Sequence, residues 1–159
     1  MDTITELAAR VGQALKARKL LLATAESCTG GGVAQAITDI AGSSEWFDCG
    51  FVTYSNASKN ELLDIAEALI AQHGTVSEEI AGAMAEAAVA NSNSSVAVST
   101  TGIAGPGGAV PGKPVGTVCF GWRIDEQTFT ERKVFSGDRH SVREQSVMHA
   151  LQGLLKLLS

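Results

Sequence analysis

Apolar positions along the chain fall into runs whose spacing switches between the helical and the extended period. Ile4, Leu7, Ala8, Val11 and Leu15 recur at helical spacing, so Thr3 to Arg18 is predicted as an amphipathic helix. The continuous apolar run Leu20-Leu-Leu-Ala-Thr24 reads as a strand, and a second helical pattern follows from Val33 to Ile40. Gly50-Phe-Val-Thr-Tyr54 is β-branched and aromatic, as strands are. A short helix is expected from Ser55 to about Ile65, and a further turn or two from Glu67 to His73, stopped by Gly74. Ser77 followed by Glu78 and Glu79 marks the start of an Ala-rich helix that runs to about Asn91. Val96 to Thr100 is a short apolar strand. Val115 to Ile124 and Thr128 to Phe135 read as two strands joined at Asp125-Glu126, which makes them an antiparallel hairpin. The last helix begins near Arg139, with Val147, Ala150, Leu151, Leu154, Leu155 and Leu158 as its buried stripe. Early alternation of strand and helix favours a layered α/β fold, and the late hairpin makes the sheet mixed.

Between these elements lie two irregular stretches. Ala25-Glu-Ser-Cys-Thr-Gly-Gly-Gly32 joins the first strand to the second helix. Thr101 to Gly116 holds six glycines and all three prolines. A loop of that length in a compact domain is usually functional or mobile.

Composition narrows the class. At 159 residues the chain is expected to form one domain, 1–159, with a core that needs no disulfide or metal. The hydrophobic share of 45% and the charged share of 18% are those of a soluble globular protein. A net charge of −5 argues against a broad nucleic-acid-binding face. Cys28, Cys49 and Cys119 are odd in number and far apart, so neither a disulfide framework nor a zinc site is signalled. Free thiols fit a reducing cytoplasm. Asp2 and Glu6 at the N-terminus do not fit a signal peptide, and no run is long enough to span a membrane.

The turn at Ala25 to Gly32 carries the densest chemistry. It offers a carboxylate (Glu26), two candidate nucleophiles (Ser27 and Cys28), a hydroxyl (Thr29) and the backbone donors of Gly30 and Gly31. Helix N-termini present unpaired N–H groups that stabilise anions or a developing oxyanion. A purely structural reading, with Thr29 capping the helix, competes with this one. Ser27 does not stand in the G-x-S-x-G frame, so a Ser-His-Asp triad is not indicated. His73, His140 and His149 read as ordinary surface or packed histidines. Lys59 is the better base: a lysine whose pKa burial has lowered can take a serine proton. Tyr54 could relay a proton. Glu26 could meet a substrate hydroxyl or orient Lys59. Thr101, Gly102 and Ile103 could add backbone donors. Arg139, Arg143 and Lys113 are cations able to grip a phosphate.

These residues also carry a family resemblance. Ala25-Glu-Ser-Cys-Thr-Gly-Gly31, Gly50-Phe-Val-Thr-Tyr-Ser-Asn56 with Lys59, His73-Gly-Thr-Val-Ser77, Thr101-Gly-Ile-Ala-Gly-Pro-Gly107 and Lys113-Pro-Val-Gly-Thr117 occur in order. The set resembles the nicotinamide-nucleotide amidohydrolases, the CinA C-terminal domain family, in its stand-alone form. The resemblance implies a three-layer α/β/α sandwich with a mixed, mostly parallel sheet. It implies hydrolysis of the carboxamide of nicotinamide mononucleotide to nicotinic acid mononucleotide and ammonia, with no metal or organic cofactor. Ser27 is then the nucleophile, with Tyr54 and Lys59 assisting. Glu26, Thr29, Gly30, Gly31, Thr101, Gly102, Ile103, Gly105, Arg139 and Arg143 are expected around the substrate. The loop at Ala109-Val-Pro departs from the polar, often acidic, pattern of the family. A cytoplasmic homo-oligomer without nucleic-acid or membrane partners is expected. Two other readings stand beside this one: a non-catalytic nucleotide-binding module of the same fold, and a thiol hydrolase using Cys28.

Overall fold

The computed structural model describes residues 2–159. Helix α1 (Ile4–Ala17) opens with a capping box: Thr3 Oγ1 accepts the Glu6 N–H and the Glu6 carboxylate accepts the Thr3 N–H. Strand β1 (Leu22–Glu26) is buried at every position and leads through the Ser27 turn into α2 (Gly32–Thr38). A single 3₁₀ turn, Ser43–Glu45, precedes β2 (Phe47–Val52). Helices α3 (Asn56–Leu63), α4 (Glu67–His73) and α5 (Glu78–Ala90) follow, then β3 (Val96–Gly102), β4 (Thr117–Ile124), β5 (Gln127–Val134) and α6 (Arg139–Leu158).

The strands form one sheet in the order β2-β1-β3-β4-β5. β1 pairs in parallel with both β2 and β3, while the β3–β4 and β4–β5 pairings are antiparallel. β4 therefore runs alone against the other four strands. Two apolar clusters lie on opposite faces of this sheet. One joins α1, α2 and α6 through Val11, Leu15, Ile37, Phe120, Leu151 and Leu154. The other joins α3, α4 and α5 through Leu63, Ile70, Ile80 and Met84 to Ala23 and Ala25. The result is the three-layer α/β/α sandwich expected. Small residues set the tightest approach: a Cβ on Gly121 of β4 would lie 2.3 Å from the Ala81 carbonyl oxygen, so only glycine lets α5 sit this close.

Several boundaries differ from the sequence reading: β1 runs two residues later than expected, at Leu22–Glu26, and α2 ends at Thr38. β2 begins at Phe47 and ends at Val52, because pairing with β1 fixes it: Leu22 N–H donates to Trp46 O at 2.8 Å and Glu26 stands opposite Val52. The long loop is shorter and better tied than its composition suggests. β3 extends to Gly102, Ile103 N–H donates to Thr117 O, and Gly116 N–H donates to Ile103 O.

Candidate active site

The parallel strands β1, β2 and β3 deliver their C-terminal ends to one edge, which is where α/β sheets hold ligands. Glu26 O accepts the Thr53 N–H and Ser27 N–H donates to Thr100 O, both at 2.9 Å, so the first residue beyond β1 is held between the ends of its two neighbours. Ser27 is 6% exposed there. From β2 the chain crosses Thr53 and Tyr54 to Ser55, whose hydroxyl accepts the Ser58 N–H and caps α3. Lys59, in the first turns of that helix, reaches back toward its N-terminal end, as helical side chains do.

Lys59 is fully buried. Its Nζ lies 2.7 Å from Thr53 O, 3.2 Å from Tyr54 O and 3.1 Å from Ser27 Oγ. None of the ion pairs among the described residues includes it. Burial without a counter-ion disfavours the ammonium and lowers its pKa from 10.5 to about 8. In the neutral amine two N–H groups serve the two carbonyls, and the lone pair is left for the Ser27 hydroxyl proton. The alternative acceptor for that proton, Tyr54 O, is at 3.5 Å and is weaker. The arrangement is a hydroxyl hydrogen-bonded to an amine poised to accept its proton near neutral pH.

Cys28 is 5% exposed, and burial, helped by the neighbouring charge of Glu26, pushes its thiol up to about 12. A thiol held protonated is a weaker nucleophile at neutral pH, which favours Ser27 over Cys28. His73 faces Glu79, His140 faces Glu144, and His149 packs among Phe120, Trp122 and Phe135 against Glu131. None of these histidines hydrogen-bonds Ser27 among the described residues.

The geometry gives several of the other expected site residues specific partners. Glu26 makes no hydrogen bond to Lys59 among the described residues. It is 1% exposed, and its carboxylate accepts Thr29 Oγ1–H at 2.6 Å, Val33 N–H at 2.8 Å and Ala34 N–H at 3.0 Å. It thus neutralises the N-terminus of α2 from within the core. Thr29 is not the cap of α2; that place falls to Gly31 at φ 103°, while the Thr29 hydroxyl also meets Thr100 Oγ1 at 2.7 Å. Gly30 N–H is spent on Ser27 O. The N–H groups of Cys28, Thr29 and Gly31 have no protein acceptor among the described residues. Thr101 and Gly102 are the last rungs of β3, opposite Cys119 and Val118; the Thr101 hydroxyl donates to Thr75 O, and the Ile103 N–H, just beyond the strand, donates to Thr117 O.

Tyr54 touches the Ser27–Lys59 pair through its carbonyl, not its phenol. The side chain is 60% exposed, and its hydroxyl lies 3.0 Å from Arg139 Nη2, whose Nη1 donates to Gly105 O at 2.8 Å. Arg143 is turned toward the Ser27 turn, with Nε 3.1 Å from Cys28 O and Nη2 3.3 Å from Thr29 O. The Thr53 carbonyl, the shortest partner of Lys59, was not foreseen, because a backbone acceptor leaves no mark in the side-chain sequence. A cavity of about 500 Å³ opens beside the first turn of α3, lined by Asn56, Ala57, Ile70, Ala71 and Thr75 among others. Among the described residues no group of three or more His, Cys, Asp or Glu could hold a metal ion, and no helix is long and apolar enough to cross a membrane.

Comparison with known proteins adds to this geometry. The model of the CinA C-terminal domain matches residues 4–158. Nicotinamide-nucleotide amidohydrolase PncC of Pseudomonas putida is 51% identical over 157 residues, covering 99% of this chain and 98% of that protein. PncC of Escherichia coli K12 is 51% identical over 152 residues, with 95% and 92% covered. The crystal structure of competence damage-inducible protein A from Klebsiella pneumoniae superposes with a TM-score of 0.95 at 38% identity, covering 98% of this chain and 96% of that one.

Proposed function

Since the chain belongs to the CinA C-terminal domain family, we propose that it is a nicotinamide-nucleotide amidohydrolase that converts nicotinamide mononucleotide and water to nicotinic acid mononucleotide and ammonia. The names of relatives matched over nearly their whole length support the reaction. The observation that carries the mechanism is the 3.1 Å contact between Ser27 Oγ and a buried Lys59 amine without a counter-ion.

In this reading neutral Lys59 takes the Ser27 proton as Oγ bonds to the carboxamide carbon. Charge develops on the amide oxygen, and the unpartnered N–H groups of Cys28, Thr29 and Gly31 are the candidate donors to it. The new lysinium returns its proton to the departing nitrogen, the C–N bond breaks and ammonia leaves. Water then attacks the acyl-serine as Lys59 accepts its proton, and Lys59 passes that proton to Ser27 Oγ as the acyl C–O bond breaks and the acid is released. Arg139, the more exposed of the two arginines and beside the Tyr54 phenol, is the cation proposed to meet the substrate phosphate, with Arg143 assigned to the nucleophile turn instead. Water is the only co-reactant this sequence needs. The unit proposed to act is the single domain 1–159. A homo-oligomer is proposed with it: β2 is an edge strand, and Val52 at its end is 50% exposed.

Ammonia release from nicotinamide mononucleotide tests the proposal in three proteins. The wild type is expected to be active, Cys28→Ala to stay within several-fold of it, and Ser27→Ala to release none while keeping its melting temperature. Full activity in Ser27→Ala, or loss confined to Cys28→Ala, would end the serine mechanism.

A further inference from the structure

The turn that carries Ser27 is gripped from outside by one side chain of another element. Arg143, on α6, places Nε 3.1 Å from Cys28 O and Nη2 3.3 Å from Thr29 O. The carbonyl of Cys28 and the N–H of Thr29 belong to one planar trans peptide and point to opposite edges of it. Holding the carbonyl toward α6 therefore aims the Thr29 N–H the other way. The next peptide, Thr29–Gly30, has a second tie, because Gly30 N–H donates to Ser27 O. The Cys28–Thr29 peptide has none: its carbonyl goes to Arg143 and its N–H is unpartnered among the described residues. Its orientation thus rests on the guanidinium more than any other plane in the turn.

We infer that Arg143 is a positioning residue for the amidohydrolase reaction, fixing the Thr29 N–H as an oxyanion donor by holding the carbonyl at the other end of the same peptide. The inference rests on the serine mechanism proposed above. Arginine suits the task because its planar fork spans two carbonyls with pre-set geometry, which one ammonium cannot do. The site is crowded as well: a Cβ on Gly30 would stand 3.2 Å from Arg143 Nη2, so the φ of +61° and the glycine there leave room for the grip. The role differs from seating substrate phosphate, since both contacts are to backbone oxygens of the nucleophile turn.

Two variants, Arg143→Ala and Arg143→Lys, test this with two readouts. The first is steady-state ammonia release from nicotinamide mononucleotide. Arg143→Ala is expected to lose about a hundredfold in kcat, the scale of one misaimed oxyanion donor, with KM changed less than about threefold. Arg143→Lys is expected to recover roughly a tenth of the wild-type kcat. The second readout is the rate at which a fluorophosphonate labels Ser27, which needs nucleophile and oxyanion donors but not the natural substrate. It should fall in parallel with kcat. A kcat within about threefold of wild type, or an effect on KM alone, overturns the inference and points to a packing or phosphate-binding role. Should Arg143→Ala fail to fold, Arg143→Lys decides the matter on the same criterion, with its melting temperature checked. A wild type inactive on the nucleotide but labelled at Ser27 refutes the substrate reading alone, and the labelling ratio still judges Arg143. A wild type neither active nor labelled overturns both.

Discussion

Lys59→Met removes a buried amine while keeping an unbranched side chain of similar length. With its folded pKa near 8 against 10.5 for the free group, wild-type Lys59 binds fewer protons in the folded state than in the unfolded one between those values. Stability must therefore rise with pH across that window as the folding penalty on this group fades. Below pH 8 the penalty is fully present, and above 10.5 it is gone. Between pH 7 and pH 10 the linkage integral amounts to about 2–3 kcal/mol. Methionine has no such term, although it leaves the carbonyls of Thr53 and Tyr54 without their donor, at a cost of about 1–3 kcal/mol each that does not vary with pH. The difference between the two proteins, taken by urea denaturation at both pH values, cancels other titrations shared by both. The wild type is expected to gain about 2–3 kcal/mol on Lys59→Met from pH 7 to pH 10. Equal pH dependence in the two would refute the claim that burial lowers the pKa of this amine. The same variant should lose ammonia release by at least about a thousandfold, as expected when the activating base of a nucleophile is removed.

Glu26→Gln replaces a carboxylate that accepts three hydrogen bonds with a group whose amide nitrogen must face a backbone N–H of Val33 or Ala34. Denaturation should report a loss of about 2–4 kcal/mol, and an unchanged midpoint would contradict the helix-neutralising role. Arg139→Ala should raise KM for the mononucleotide about tenfold and leave kcat within about threefold, because the contact proposed for it is with the phosphate and not the reacting amide. The same variant should show no such KM effect with a substrate analogue that lacks the phosphate.

Periodicity made most of the fold legible. The helices at Thr3 to Arg18 and Glu67 to His73, the Ser77 cap and the terminal hairpin fall within a residue or two of their places, since each rests on local spacing and turn chemistry. β2 was misplaced at both ends because an edge strand with half-exposed positions alternates weakly, and its limits come from pairing with β1. At the site, Ser27 and Lys59 could be matched because both follow strand ends on one edge of the sheet. Whether a side chain turns into or away from that edge is decided by partners distant in sequence. Glu26 turns to α2, the Tyr54 phenol to Arg139, and Arg143 to the nucleophile turn, and none of these directions is written in the residue types. The free backbone donors are equally silent in the sequence, because which N–H stays unpaired depends on the completed hydrogen-bond network.

The central claim is that the neutral form of Lys59 draws the proton from Ser27, and the pH dependence of kcat/KM for ammonia release tests it most directly. The claim predicts a rate that climbs from pH 6, bends at an apparent pKa of about 8 and levels off above it. A profile already flat at pH 6, or one that falls between pH 7 and pH 9, would contradict it.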